Sequence, residues 1–347
     1  MSNTHGGRQS GSRSVRKVPQ HLVHKHDSAE VLLTDWTTHE GDLHTVHARW
    51  PRCHTFYQPH CRRFDPLLFV ETVRQTFPLL SHAAYGVPFD SHLVWDGFSF
   101  EIDPQAMLIP QGRADVVLEA ACTDVRTRKG CLASMTMHAE VRLNGRRVGG
   151  ARTRFTNHSP AVYRRLRGER DLAEARRRAL PPLPPLPPAT VGRHHHENVV
   201  LADSGRADRW QLRADLDHTV LFDHPVDHAP GMLLLEAVRQ AAHLNSFTAN
   251  CMVTGMSVSF EGWVELDVPA WISVAPVGGN VLRAVIEQEH GTCLTAEVVV
   301  ESVPPRTAGH PAVQNQADLQ LSPRLRSAPG PAEAMCSGPG AVVLPVR

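Results

Sequence analysis

Leu67-Leu68-Phe69-Val70-Glu71-Thr72-Val73-Arg74-Gln75 and Met232-Leu233-Leu234-Leu235-Glu236-Ala237-Val238-Arg239-Gln240 are two versions of one pattern. Five of the nine positions are identical, with Glu, Val, Arg and Gln in the same spacing. Outward from this pair, Phe98-Ser99-Phe100-Glu101 echoes Val258-Ser259-Phe260-Glu261, and Glu30-Val31-Leu32-Leu33-Thr34-Asp35 echoes Asn198-Val199-Val200-Leu201-Ala202-Asp203. The matches keep their order along the chain, so the sequence is an internal duplication, and the fold has to be read one half at a time.

Each half predicts one long apolar helix followed by alternating strands. The first helix starts at Asp65-Pro66, a capping side chain followed by a residue whose missing amide costs nothing at that position. The second starts at Pro230-Gly231. Apolar residues occupy nearly every face of both, as in a helix that is buried all round, and Pro78 is expected to end or kink the first. Strands are expected over Leu93–Ile102, Asp115–Arg126, Cys131–Leu143 and Arg147–Thr156, with counterparts Val253–Leu266, Trp271–Val277, Val281–Glu289 and Leu294–Val303. Phe98, Phe100 and Ile102 alternate at period two, as do Val258, Phe260, Val264 and Leu266 with Gly262 skipped as a bulge. A buried helix wrapped by an antiparallel sheet is the hot-dog arrangement. The expected class is α+β, a tandem double hot-dog in which one chain supplies both members of a pseudo-dimer.

The expected organisation is a disordered arm at 1–17, a first hot-dog domain at 18–158, a charged helix and proline-rich linker at 159–190, a second hot-dog domain at 191–303 and a disordered tail at 304–347. Pro181-Pro182-Leu183-Pro184-Pro185-Leu186-Pro187-Pro188 has to be extended, because proline locks φ and removes amide donors; it reads as a semi-rigid spacer. The 347 residues are 41% apolar with a net charge of +1, enough for two cores and too balanced for a nucleic-acid binder. Mean hydropathy is −0.26, and no apolar run approaches the ~18–20 residues that span a bilayer. The amino-terminal stretch lacks the apolar core of an export signal, so a cytoplasmic location with reduced cysteines is expected. Cys53, His54, His60 and Cys61 do not match a zinc-finger spacing. His194, His195 and His196 read as a solvated strand start, and no metal is expected. The arginine cluster Arg142, Arg146, Arg147, Arg152, Arg154, Arg164, Arg165 and Arg167 reads first as a solvated face, with docking of an acidic carrier protein as the alternative.

Residues three apart share a helix face, so Glu71 can meet Arg74, and Glu236 can meet Arg239. A self-neutralising structural pair is the bland reading. A buried ion pair is no better for stability than well-packed apolar side chains, so its retention in both greasy helices points to use. Before the second helix runs Leu221-Phe222-Asp223-His224-Pro225-Val226-Asp227-His228-Ala229-Pro230-Gly231-Met232. His224 and His228 are candidate acid–base groups, with a loop-ordering hydrogen bond as the alternative for each. Asp223 and Asp227 read as loop caps. Amides near Gly231 and Met232 at the helix start are candidates to hold a thioester oxyanion.

The string from Phe222 to Ala241 resembles the second-repeat signature of the A-factor (γ-butyrolactone autoinducer) synthase family of Streptomyces and related actinobacteria. Leu22-Val23-His24-Lys25, Arg49-Trp50-Pro51-Arg52, Asp65 through Gln75 and Ala84-Tyr85-Gly86-Val87-Pro88 resemble its first repeat, so the likeness spans about residues 18–303. It implies an acyltransferase that passes a β-ketoacyl group from acyl-carrier protein to dihydroxyacetone phosphate, without a cofactor, on the way to a γ-butyrolactone signal. It also implies that Glu71, Glu236 and Arg239 are catalytic: a glutamate takes the hydroxyl proton, and Arg239 holds phosphate or developing charge. Arg74, His224, His228, Gly231 and Met232 are expected to bind substrate. The helix start and Glu236 also resemble hydroxyacyl-carrier dehydratases, which place a catalytic histidine fourteen residues before the glutamate. Phe222 and Tyr57 stand at those positions here, which speaks against dehydration. A thioesterase and a non-catalytic acyl-thioester or carrier-binding protein remain open.

Overall fold

The structure, a computed structural model, describes residues 17–128, 130–168, 170–246 and 250–303. The expected arm, apart from Lys17, and the expected tail lie outside them. The first half is built from β1 (Leu33–Thr38), β2 (Leu43–Arg49), α1 (Pro66–Ala83), β3 (His92–Ile102), β4 (Asp115–Arg128), β5 (Cys131–Leu143) and β6 (Arg146–His158). Two short helices, α2 (Pro160–Leu166) and α3 (Leu172–Arg178), lead to the second half. That half comprises β7 (Leu201–Arg206), β8 (Arg209–Leu212), α4 (Gly231–Leu244), β9 (Cys251–Phe260), β10 (Trp271–Gly278), β11 (Val281–Gln288) and β12 (Gly291–Ser302).

All twelve strands form one antiparallel sheet, ordered β1-β2-β4-β5-β6-β3-β9-β12-β11-β10-β8-β7. From either edge inward the order is the same, so the duplication is visible in the topology. The halves join where β3 pairs with β9, Phe98 opposite Val258 and Phe100 opposite Met256. α1 packs on β1, β3 and β5 and reaches β9 and α4; α4 packs on β7 and β9 to β12. This is the α+β double hot-dog: two buried helices, each wrapped by its own half of a continuous sheet.

The apolar pattern explains the helix burial. From Pro66 to His82 every α1 residue except Arg74 is buried, and from Met232 to Ala242 every α4 residue is. Asp65 caps α1, its Oδ1 accepting from the Leu67 amide at 2.8 Å, a contact worth about 1 kcal/mol. Pro78 neither ends the helix nor breaks it: α1 runs on to Ala83. One backbone bond is forfeited, and the fully buried Leu79 and Leu80 hold the last turn in place.

Other expectations shift. β9 stops at Phe260, and Val264 and Leu266 are buried from an irregular segment, so Gly262 is not a strand bulge. His194 to His196 do not begin a strand: a 3₁₀ turn over His196–Asn198 comes first and β7 starts at Leu201. The proline stretch is docked rather than free, with the amides of Leu180 and Leu186 donating to the carbonyls of Leu266 and Leu201. No described helix is long and apolar enough to cross a membrane.

Candidate active site

Glu236 is 0% exposed in the middle of α4. Arg239, one turn on, donates to it through Nε and Nη2, both at 2.8 Å. Arg193 donates from Nε and Nη2 at 2.7 and 2.6 Å, and Gln240 Nε2 adds a bond at 2.5 Å. A carboxylate has about four lone-pair positions, so this one is saturated. Burial alone would raise its pKa, but Arg193 and Arg239 outweigh burial and hold it at about 2. Arg193 is anchored further, Nη1 donating to Phe56 O at 2.9 Å and Asp65 Oδ2 at 2.5 Å. Arg239 Nη2 reaches Val191 O at 3.0 Å. Its Nη1 has no partner among the described residues.

Arg239 lines a cleft together with Gln58, His60 and His243. Met252, Val253 and Val300 give the cleft an apolar wall. Two residues from the start of α1, Asp65 and Pro66, line it too. His243 Nδ1 lies 3.1 Å from Cys251 Sγ. Burial, then Arg239 and His60, lower the His243 pKa to about 4, and burial raises the Cys251 thiol, so the pair is neutral at neutral pH.

A second centre repeats the plan on α1. Glu71, 1% exposed, takes Arg74 Nε and Nη2 at 2.7 and 2.8 Å, Gln75 Nε2 at 2.8 Å and Lys25 Nζ at 3.1 Å. Burial opposes its charge, but Arg74 and Lys25 keep its pKa well below the usual carboxylate range. His82 Nδ1 faces Val87 O at 2.7 Å and so carries the proton; His82 Nε2 then accepts from His24 Nε2 at 2.7 Å. In both centres the glutamine ties the helix to its own half. Gln75 bonds Glu30 O and the Leu32 amide, and Gln240 bonds Asn198 O and the Val200 amide.

The loop before each helix serves the centre of the other half. Asp223 accepts from the His26 amide at 2.7 Å beside the Glu71 centre. Gln58 accepts from the His194 amide at 3.3 Å beside the Glu236 centre. Each centre is thus completed across the β3–β9 seam.

Residues 8–159 and 175–282 match the family model described as the A-factor biosynthesis hotdog domain. The chain belongs to this family. A relative from Streptomyces virginiae, "2-oxo-3-(phosphooxy)propyl 3-oxoalkanoate synthase", is 42% identical over 261 residues, covering 75% of this chain and 87% of the relative. A protein of the same name from Streptomyces coelicolor A3(2) is 37% identical over 275 residues, covering 78% and 86%. Among solved structures, the 12:0-ACP thioesterase from Umbellularia californica is similar at a TM-score of 0.47 and 11% identity, covering 75% of this chain and 98% of that one. A likeness of that size carries no argument about chemistry.

In this A-factor biosynthesis hotdog protein, the expected site residues divide. Glu71 with Arg74, and Glu236 with Arg239, meet as the i, i+3 spacing requires. The saturated Glu236 carboxylate, however, has no lone pair left for a substrate hydroxyl, so its geometry supports positioning rather than proton abstraction. At Glu71 three donors crowd Oε1, while Oε2 takes Arg74 Nε alone among the described residues and keeps a lone pair. His224 is exposed beside Asp223 at the Glu71 centre, not the Glu236 one. His228 lies away from both glutamates: its Nδ1 sits 2.6 Å from Asp227 Oδ1, and its ring packs edge-on against Trp263. Asp227 is more than a loop cap, accepting from Tyr163 Oη at 2.8 Å and Arg167 Nε at 2.9 Å. Gly231 and Met232 do not line the Arg239 cleft. Glycine is required at 231 because a Cβ there would come within 2.6 Å of the Trp95 ring. The helix start that does face the cleft offers no oxyanion amide, since Pro66 has none and Asp65 already takes that of Leu67.

Several participants escape the sequence. Arg167, expected on a solvated face, is 5% exposed and clamps Asp227 and Glu265. Lys25 and Arg193 complete the two carboxylate cages. The signal for them exists: Leu22-Val23-His24-Lys25 parallels Thr190-Val191-Gly192-Arg193, and His24 and Gly192 both adopt left-handed φ, 52° and 65°. It keeps the 168-residue offset of the Glu30–Asp35 and Asn198–Asp203 echo, but only the valine is identical within it, which hides it.

Proposed function

We propose that this chain transfers the acyl group of a 3-oxoacyl thioester to a hydroxyl of dihydroxyacetone phosphate at the Arg239 cleft, as a step toward a γ-butyrolactone-type signal. The names of relatives at 42% and 37% identity support the substrates. The observation that carries the reading is Arg239 itself: a guanidinium gripped from behind by an ionised, buried glutamate, with Nη1 unpartnered among the described residues, in a cleft with an apolar wall. A guanidinium fork suits a phosphate or the oxyanion of a tetrahedral intermediate, and the apolar wall suits an acyl chain. The hydroxyl oxygen bonds to the thioester carbon, the C–S bond breaks, and the thiol leaves with the hydroxyl proton. The balance needs no cofactor. Acyl-carrier protein is the donor in this reading, and the two halves act as an intramolecular pseudo-dimer.

The test incubates the purified chain with a 3-oxoacyl thioester, with and without dihydroxyacetone phosphate, and follows products by mass spectrometry. A phosphate-bearing ester that appears only with the sugar phosphate supports the reading. Free acid in both incubations means a thioesterase, and unchanged thioester means a binding protein; either overturns it. Arg239→Ala has to abolish ester formation.

A further inference from the structure

We propose that His60, supplied by the first half to the α4 helix of the second, is the base that takes the proton from the attacking hydroxyl in the Arg239 cleft. This rests on the transferase reading above. His60 lines the cleft, and its Nε2 is buried with no hydrogen-bond partner. A buried polar atom without a partner is unfavourable and uncommon in folded proteins, so each one asks for an explanation. A substrate hydroxyl donating to Nε2 provides it.

The carboxylates around the cleft are already engaged. Glu236 is filled by two guanidiniums and an amide. Asp65 caps α1 through Oδ1 and pairs with Arg193 through Oδ2. His243 Nδ1 faces the Cys251 thiol. His243 Nε2 is also unshared, but among these groups His60 is the one whose unpartnered ring nitrogen is fully buried.

The backbone aims it. His60 and Arg63 exchange backbone bonds of 3.1 and 2.9 Å, closing a two-residue turn whose central residues, Cys61 and Arg62, sit at φ 48° and 60°. Two consecutive non-glycine residues in the left-handed region make a strained turn. Arg63 Nε, bonded to Pro104 O at 2.9 Å, ties that turn to the segment after β3.

The charges facing His60 come from four elements: Arg239 and His243 on α4, His194 before β7, Asp65 at the α1 cap, and Arg63 in its own turn. Burial first, then Arg239 and His194, lower its pKa, which keeps the ring unprotonated at neutral pH. In the step, Nε2 takes the hydroxyl proton as the oxygen–carbon bond forms. The oxyanion faces Arg239, and as the C–S bond breaks the leaving sulfur takes the proton back from Nε2.

The test compares wild type, His60→Gln, His60→Ala and Arg239→Ala in the ester-forming assay. The expected result for the His60 variants is a kcat loss of roughly 10²- to 10⁴-fold, the usual worth of a general base. The KM for dihydroxyacetone phosphate should change by less than about threefold. The acidic limb of the kcat/KM pH profile should vanish, and added imidazole should restore part of the His60→Ala rate. A merely structural residue would move neither of the last two. His60→Gln, read by its pH profile, keeps the proposal testable if His60→Ala does not fold. His60→Gln within threefold of wild type, or with its acidic limb intact, overturns the role of His60 while Arg239→Ala remains inactive. Wild type that forms no ester overturns the transferase reading and His60 with it.

Discussion

The Glu71 and Glu236 centres are alike where they are buried and unlike where they open. Each holds a carboxylate among an i+3 arginine, an i+4 glutamine and a cation from the 3₁₀ turn before its first strand, Lys25 or Arg193. At the mouth the imidazole changes sides. His24 from the turn faces the Glu71 centre where Pro78 occupies the helix; in the other half the turn has Gly192 and the helix has His243, whose ring fills the space a side chain at 192 would need. The walls differ as well. Leu93 pairs with Asn157 as Val253 pairs with Val300, so a polar residue stands where the Arg239 cleft has valine. Duplication thus preserved the cage that orients an arginine and let the openings diverge. The cages match, and the mouths differ.

The cages should give the largest effect when broken. Removing one partner of a buried ionic cluster leaves charges uncompensated and costs about 3–5 kcal/mol. Glu236→Ala, which strands two guanidiniums, should lower stability in urea by that amount, and Glu71→Ala by less, because its partners Arg74 and Lys25, at 15% and 4% exposed, are each more exposed than their counterparts Arg239 and Arg193, at 9% and 1%. Equal losses would remove this distinction.

Activity should separate the centres next. Arg239→Lys keeps the charge but loses the fork, and should reduce kcat/KM for ester formation by roughly 10²-fold, or about 2.7 kcal/mol. Arg74→Lys should change it by less than about threefold. A comparable loss at Arg74 would make both centres catalytic.

Gly231→Ala forces its new methyl against Trp95, and overpacking of this kind costs about 1–3 kcal/mol; a shifted thermal midpoint with normal kinetics would keep the α4 start structural. A further effect is in acid. Burial first, then His82 and Arg74, hold His24 at about 3, below its ordinary 6.5. Its folded pKa is depressed, so its contribution is full above pH ~6.5 and declines as pH falls toward 3. His24→Gln should flatten the fall of the urea midpoint between pH 7 and 4. His243→Gln should flatten it less, because His243 sits nearer 4.

The helices were legible because burial imposes a pattern on nine consecutive residues, and the strands because alternation does. Asp65-Pro66 marks the start of α1 within the sequence itself. The crossing of the loops was not legible. Which centre His60 or His224 meets depends on β3 pairing with β9, a contact between segments about 160 residues apart that leaves no local trace. Arg167 misled for a related reason: within the run Arg164-Arg165-Leu166-Arg167 all three arginines look alike, and only tertiary packing sends one inward to Asp227 and Glu265. The saturation of Glu236 was hidden because one of its two guanidiniums comes from Arg193, forty-three residues earlier.

Asp65 shows what the duplication has become. One carboxylate both starts the helix of its own half and anchors the guanidinium that steadies its neighbour's glutamate. A chain severed within Pro181–Pro188 would not yield two self-sufficient modules: one fragment would keep the aspartate and lose the cation it serves, and the other would keep Arg193 on Glu236 but without its second carboxylate. Two copies of an ancestral unit have grown into organs of a single body, and neither can be transplanted alone.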